Sequence, residues 1–173
     1  MINQKGNIIL IGPMGSGKTS TGKMLAKEMG YVFLDTDEEV TKRTGVSIAY
    51  IFDVEGEEGF RKREYLALKE CLNDNNMILS TGGGIVLSKE NRDLLQDRGK
   101  VVYLQTSIRF QVKRTASTNN RPLLQNKDPE ETLEKLMLTR APLYEEIADI
   151  TIMTDNKSLQ EMSKEIQRAI NEH

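Results

Sequence analysis

The chain has 173 residues, of which 38% are hydrophobic, with 24 Lys and Arg against 26 Asp and Glu. This is the composition of one globular domain spanning 1–173, and its near-zero net charge provides no field for holding nucleic acid or an anionic membrane. A single cysteine, Cys71, and a single histidine, His173, exclude an internal disulfide, four-cysteine zinc sites, Ser-His-Asp triads and HExxH metal sites. Chemistry is left to carboxylates, lysine, arginine, hydroxyls and backbone.

The first apolar run, Ile8 to Ile11, stops at Gly12-Pro13 and is too short for a signal peptide or a membrane span. With one free thiol, a reducing cytoplasm is the expected compartment. Short apolar runs then recur: Asn7–Ile11, Tyr31–Leu34, Met77–Ser80, Lys100–Leu104 and Asp149–Met153 read as strands buried on both faces. Helical spacing fills the gaps. Thr19–Met29 follows the first strand, and Ser88–Asp97 follows the third, with Ser88 as N-cap. Glu57–Leu72 carries the stripe Phe60, Ala67, Leu68 and Cys71, which makes Cys71 a small core residue. Leu133, Leu136 and Met137 form another stripe, continued by Arg140 and ended by Pro142. The last helix opens on the capping box Ser158–Glu161 and buries Leu159, Met162, Ile166, Ala169 and Ile170. Strands alternating with helices predict a three-layer α/β domain on a parallel sheet. Thr115–Pro129, polar and carrying two prolines, reads as a mobile loop.

Gly12-Pro-Met-Gly-Ser-Gly-Lys18-Thr19 fits GxxxxGK[ST], with a strand before it and a helix after it. Gly15 and Gly17 let backbone N–H groups close on phosphate oxygens. Lys18 is placed to reach the β and γ phosphates, and Thr19 to ligate Mg²⁺. The second strand ends in Leu34-Asp35-Thr36-Asp37, beside that loop if the strands are parallel. One Asp would order Mg²⁺ and its waters and the other would take or orient a substrate proton. The competing reading is a helix N-cap supplied by Thr36 or Asp37. Gly82-Gly83-Gly84 ends the third strand, either for close ligand approach or as a simple turn. Glu64 lies on the apolar stripe one turn from Arg61, and the two are spaced to pair. Arg61 is then either an anion holder or half of a surface ion pair. Arg140 either clamps an anion or snorkels outward. Arg121, in the polar loop, is either a lid arginine closing on the γ phosphate or simply solvated.

In their order and spacing, Gly12–Thr19, Asp35-Thr-Asp37, Phe60-Arg61-x-x-Glu64, Gly82–Gly84, Arg121-Pro-Leu-Leu and Arg140-x-Pro-x-Tyr144 resemble the shikimate kinases over nearly the whole chain. The resemblance implies a five-stranded parallel sheet of the P-loop, nucleoside-monophosphate-kinase type. It implies transfer of the ATP γ-phosphoryl group to the 3-hydroxyl of shikimate, on the way to chorismate and the aromatic amino acids. It places ATP on Lys18 and on the loop from Gly15 through Ser16, Gly17 and Thr19 to Ser20. It places Mg²⁺ on Thr19 and, through water, on Asp35. Asp37 would orient or deprotonate the attacking hydroxyl. Arg61 and Arg140 would clamp the shikimate carboxylate, helped by Gly83 N–H, while Glu64 offsets their charge. Arg114 would stack on adenine and Arg121 would act from the lid, about 115–129, with the substrate-binding helices at about 36–73. The expected enzyme is monomeric, with no nucleic-acid or membrane partner.

Three rivals remain in view. A gluconate or nucleoside-monophosphate kinase also needs an anion clamp, but the Arg61/Arg140 pair and the triple glycine favour shikimate. A non-catalytic ATP sensor should lack Lys18, Asp37 or Arg121, and all three are present. A nucleic-acid 5′-hydroxyl kinase needs a basic groove, whereas Arg61–Arg63 is short and balanced by Glu55, Glu57 and Glu58.

Overall fold

The computed structural model describes residues 6–116 and 128–173. In chain order the elements are β1 (Ile8–Ile11), α1 (Lys18–Met29), β2 (Val32–Asp35), α2 (Thr36–Thr44), α3 (Ile48–Cys71), β3 (Met77–Ser80), a 3-10 turn (Ile85–Leu87), α4 (Lys89–Arg98), β4 (Lys100–Gln105), α5 (Ile108–Thr115), α6 (Pro129–Ile147), β5 (Ile150–Met153) and α7 (Leu159–Glu172). The strands form one parallel sheet in the order β2-β3-β1-β4-β5. All five expected strands are present, shifted by a residue or so at their ends.

Successive residues of a strand face opposite sides, so the sheet has two cores. Ile9 and Ile11 pack with Leu68, Leu79, Leu95, Tyr103, Tyr144 and Ile147 beneath α3, α4 and α6. Ile8 and Leu10 pack with Leu25, Ile78, Val102, Ile152, Met162 and Ile166 beneath α1 and α7. This is the three-layer α/β/α arrangement. A small satellite cluster of Val40, Ile51, Phe60 and Ala67 joins α2 to α3.

The expectation that every strand is buried on both faces holds for the inner three and fails at the edges. Val32 on β2 is 62% exposed, and β5 alternates, with Thr151 and Met153 facing solvent. An edge strand has a neighbour on one side only, and the flanking helices do not cover it fully. Two helical expectations also need correcting. Pro142 does not end α6, which continues to Ile147. The proline lies on the exposed side, where the carbonyl it deprives of a helical partner can meet water. Beyond it, Tyr144 stacks on Tyr103 at 5.0 Å and Ile147 is buried, which holds the last turn down. The helix expected from Glu57 is present as the second part of α3, set off by a break at Gly56, whose φ of 72° is left-handed, from an additional first part that begins at Ile48. Leu159 is not core: it is 40% exposed, while Met162 and Ile166 are buried as expected. Both predicted caps form, Ser88 accepting from Asn91 N–H and Ser158 completing its box with Glu161.

Asn7 fastens the amino ends of the strands. Its buried amide donates to the Asp74 and Arg98 carbonyls at 3.0 and 3.2 Å and accepts from Met77 N–H at 3.3 Å. Replacing it with Ala leaves the buried Met77 N–H and two part-buried carbonyls without this partner. Asn7→Ala should lower the free energy of urea unfolding by about 2–4 kcal/mol, since each unpaired buried group costs roughly 1–3 kcal/mol. It should leave the opposite, carboxyl end of the sheet unchanged.

Candidate active site

The carboxyl ends of β1, β2 and β3 open on one cleft of about 570 Å³. Its walls include the 14–21 loop, Asp35, Asp37, Thr81, Gly82, Gly83, Arg114 and Thr154. The loop after β1 turns back because Gly15 and Gly17 take φ of 75° and 83°. Gly12, with φ of 150°, passes so close to β4 that a Cβ there would lie 2.7 Å from the Leu104 carbonyl oxygen. Lys18 is 9% exposed, and its Nζ donates to the Gly12 and Pro13 carbonyls at 2.7 and 2.8 Å and to Ser16 Oγ at 3.3 Å. The ammonium is thus held at the mouth of the loop by weak, neutral acceptors. A phosphate oxygen would be a better one.

Asp35 joins the two sides of the cleft. Its Oδ2 accepts from Thr19 Oγ1 at 3.0 Å, while its Oδ1 accepts from the N–H groups of Asp37 and Glu38 at 2.9 and 3.2 Å. The N-cap of α2 is therefore Asp35, not Thr36 or Asp37. Thr36 is buried and used elsewhere, its hydroxyl accepting from Gly82 N–H at 3.0 Å. Asp37 is left in the first turn of α2, on the cleft wall. A hydroxyl and a carboxylate oxygen at hydrogen-bonding distance beside a phosphate loop are a hard-oxygen donor pair suited to Mg²⁺, which takes few protein ligands alongside substrate phosphates.

The glycine run is a floor for charged side chains. A Cβ on Gly82 would lie 2.9 Å from both Asp37 Oδ1 and Glu64 Oε2. One on Gly83 would lie 3.2 Å from Arg140 Nη1, and one on Gly84 would lie 2.6 Å from Arg61 Cζ. Each glycine makes room for a different member of the predicted set, so the run brings Asp37, Arg61, Glu64 and Arg140 together. Arg140 is 4% exposed, which rules out snorkelling. It lies against Tyr144, whose hydroxyl donates to the Gly83 carbonyl at 2.5 Å. Tyr144 was visible in the sequence as a motif residue without a role, and it ties α6 to the floor. Arg61 donates to Glu64 Oε1 at 2.9 Å and to Glu57 Oε1 at 3.2 Å, and its outer side faces a hollow of about 370 Å³ between α3 and α4.

On the far side, Arg114 donates to the Gly15 carbonyl at 3.0 Å and to Thr154 Oγ1 and O at 3.1 and 3.2 Å. The cleft continues past it along Lys157, Ser158, Leu159 and Met162. Leu159 is exposed because it lines this cleft, and periodicity alone had assigned it to the core. Ser20 completes the loop-side lining. Arg121 lies outside the described residues, as does most of the 115–129 segment.

Charge is unevenly matched here. Burial pushes Arg140 below the usual guanidinium value, and nearby Arg61 adds to the shift. Burial also opposes the charge on Arg61, but Glu64 and Glu57 more than offset it and raise Arg61 overall. Burial raises Glu64 to about 7, against the pull of Arg61, and neighbouring Asp37 adds to the rise. Both arginines stay charged, so Glu64 is the member that titrates. A folded-state value above the ordinary 4.5 means that the folded protein favours protonated Glu64. That contribution is fully present below about 4.5 and is lost as pH rises through about 7. Glu64→Gln should therefore gain stability relative to wild type between pH 5 and 7.5, by on the order of 3 kcal/mol. Urea unfolding of both proteins at the two pH values measures it.

A family model described as shikimate kinase matches residues 14–171. The chain is 51% identical to a shikimate kinase of Thioalkalivibrio sulfidiphilus over 167 residues, which is 96% of this chain and 88% of that one. It is 49% identical to a shikimate kinase of Vibrio cholerae over 170 residues, 98% of each. A solved structure of Acinetobacter baumannii shikimate kinase in complex with shikimate superposes with a TM-score of 0.94 at 44% identity, covering 96% of this chain and 93% of that one. With a phosphate loop, a facing carboxylate and an arginine pair at one end of the sheet, the chain belongs to the shikimate kinase family of ATP-dependent phosphotransferases.

Proposed function

We propose that this enzyme transfers the ATP γ-phosphoryl group to the 3-hydroxyl of shikimate, giving shikimate 3-phosphate for aromatic amino-acid synthesis. The observation that carries the reading is the pair Arg61 and Arg140, the first half-buried over Gly84 and the second buried over Gly83, beside Asp37. Two guanidinium groups in one small space suit a planar carboxylate, which a guanidinium can bind through two parallel bonds. The A. baumannii relative was solved with shikimate bound, which supports the same acceptor here.

In this reading the backbone from Gly15 to Ser20 cradles the nucleotide phosphates. Lys18 exchanges its carbonyl partners for phosphate oxygens. Thr19 directly, and Asp35 through water, hold Mg²⁺, which when bound neutralises charge on those oxygens. Arg114 packs along the adenine. Arg61 and Arg140 bind the shikimate carboxylate, Gly83 N–H adds a contact, and the attacking hydroxyl faces Asp37. Phosphoryl transfer has a loose transition state, so Asp37 needs chiefly to orient that hydroxyl and accept its proton late. Arg121 is assigned, on the sequence motif, to stabilise charge on the transferred group. The enzyme is taken to be a cytoplasmic monomer.

A coupled ADP-release assay over shikimate, gluconate and nucleoside monophosphates tests the acceptor. Turnover with shikimate alone is expected, and preferred turnover of either alternative overturns the reading. Lys18→Ala and Asp37→Asn should each lower kcat by at least about 100-fold with an unchanged circular dichroism spectrum, the scale seen when preorganised charge stabilisation is removed. Arg121→Ala should lower kcat by roughly 10²–10⁵ with little change in shikimate affinity, if it acts as an arginine finger. A near-normal kcat in that variant removes the assignment.

A further inference from the structure

Glu64 stands out among the buried groups because the chemistry above gives it no step. It is fully buried. Its Oε1 is bound to Arg61, while its Oε2 has no hydrogen-bond partner. That oxygen and Asp37 Oδ1 both lie 2.9 Å from the point where a Cβ on Gly82 would sit, so two carboxylates converge over one glycine. The charged groups facing Glu64 are Arg61 on its own helix, Asp37 on α2 and Arg140 on α6. Glu57 reaches it only through Arg61.

Before an acidic acceptor binds, Arg61 and Arg140 face Asp37 and Glu64, with Glu57 on the outer side of Arg61, and at pH 7.5 Glu64, pushed up to about 7, is mostly ionised. An acceptor carboxylate seated on Arg61 and Arg140 adds a third negative charge to the same buried space. The acceptor cannot shed that charge near neutral pH, because an ordinary carboxylic acid ionises near pH 4. Glu64 can do so, by gaining a proton. A proton on Oε2 would remove the buried charge and turn an unpaired acceptor into a donor on the Gly82 side, where Asp37 Oδ1 also lies.

We propose that binding of the shikimate carboxylate is coupled to uptake of a proton from water onto Glu64 Oε2, so that the acceptor enters the site with its charge compensated. The inference rests on the shikimate reading above. It makes Glu64 a positioning and charge-balancing residue that does not touch the reacting atoms. By linkage, acceptor affinity must fall with rising pH wherever the free enzyme has lost this proton and the complex retains it.

The test is isothermal titration calorimetry of shikimate into the full-length, nucleotide-free protein at pH 7.5, in Pipes and in Tris, whose ionisation heats differ widely. In wild type the binding heat should differ between the buffers by an amount corresponding to uptake of about half to three-quarters of a proton. In Glu64→Gln, with folding checked by circular dichroism, shikimate should still bind and the buffer dependence should vanish. Binding without buffer dependence in wild type overturns this inference alone, as does equal dependence in the variant. No binding at all overturns the shikimate reading and this inference with it. Should the variant fail to fold, wild type decides: its affinity should be level below about pH 7 and fall by up to tenfold per pH unit above it. A level affinity up to pH 9 overturns the inference.

Discussion

Because β1 and β3 pair in parallel, with Leu10 opposite Ser80, the phosphate loop and the glycine run leave the sheet side by side. Thr81 fixes that juncture, its N–H and its hydroxyl both donating to the Leu10 carbonyl at 3.2 and 2.8 Å. β2 pairs on the other side of β3, so Asp35 arrives opposite Ser80 at the same height. The three strand ends thus fix the relative positions of nucleotide and acceptor before any side chain is considered. Asp35 then spans the gap, holding Thr19 at the start of α1 and capping α2. One carboxylate sets the distance between the phosphate side and the side carrying Asp37.

The glycine floor has a packing reason as well as a conformational one. Gly82, Gly83 and Gly84 make room, respectively, for two carboxylates, a guanidinium of α6 and a guanidinium of α3. Any side chain at these positions would displace a charged group that has few other places to go. Floor and clamp are therefore one unit built from β3, α3 and α6, with the Tyr144 hydroxyl as the tie between floor and clamp helix. This also explains why α6 must run past Pro142. The turn beyond the proline carries Tyr144, which stacks on Tyr103 of the sheet.

Much of this could be read from the sequence, because the informative signals are local. A strand followed by GxxxxGK[ST] and a helix fixes the phosphate loop wherever the rest of the chain goes. The i, i+3 spacing of Arg61 and Glu64 was enough to expect their pair, and the stripe under Glu64 was enough to expect its burial. What could not be read depends on non-local packing. Strand order decides that Val32 and Met153 lie at edges, and nothing inside those short runs encodes it. Leu159 sits on the apolar stripe of α7 by spacing, but it falls where the sheet has ended and the cleft begins. The capping role of Asp35 was hidden because three candidate caps follow one another, and the choice rests on Thr36 being claimed by Gly82. Asn7 carried no signal at all, since its three partners come from elements far apart in the chain.

A buried ion pair is a poor way to stabilise a protein, because desolvating two charges costs about as much as their attraction returns, and apolar residues often do better. Arg61, Glu64 and Arg140 should be judged by what they bind. A buried and a half-buried arginine left alone would repel each other and would hold anions, including inorganic ones. Glu64 supplies the missing negative charge, and it does so with a group whose ionisation is itself finely balanced by burial. A fixed negative charge in that place would compete permanently with an acidic acceptor for Arg61. A neutral residue would leave the empty site overcharged. A carboxyl that can be either adapts to the presence or absence of the ligand. That explains why an acid stands at a fully buried position on an otherwise apolar helix face, although stability alone would disfavour it.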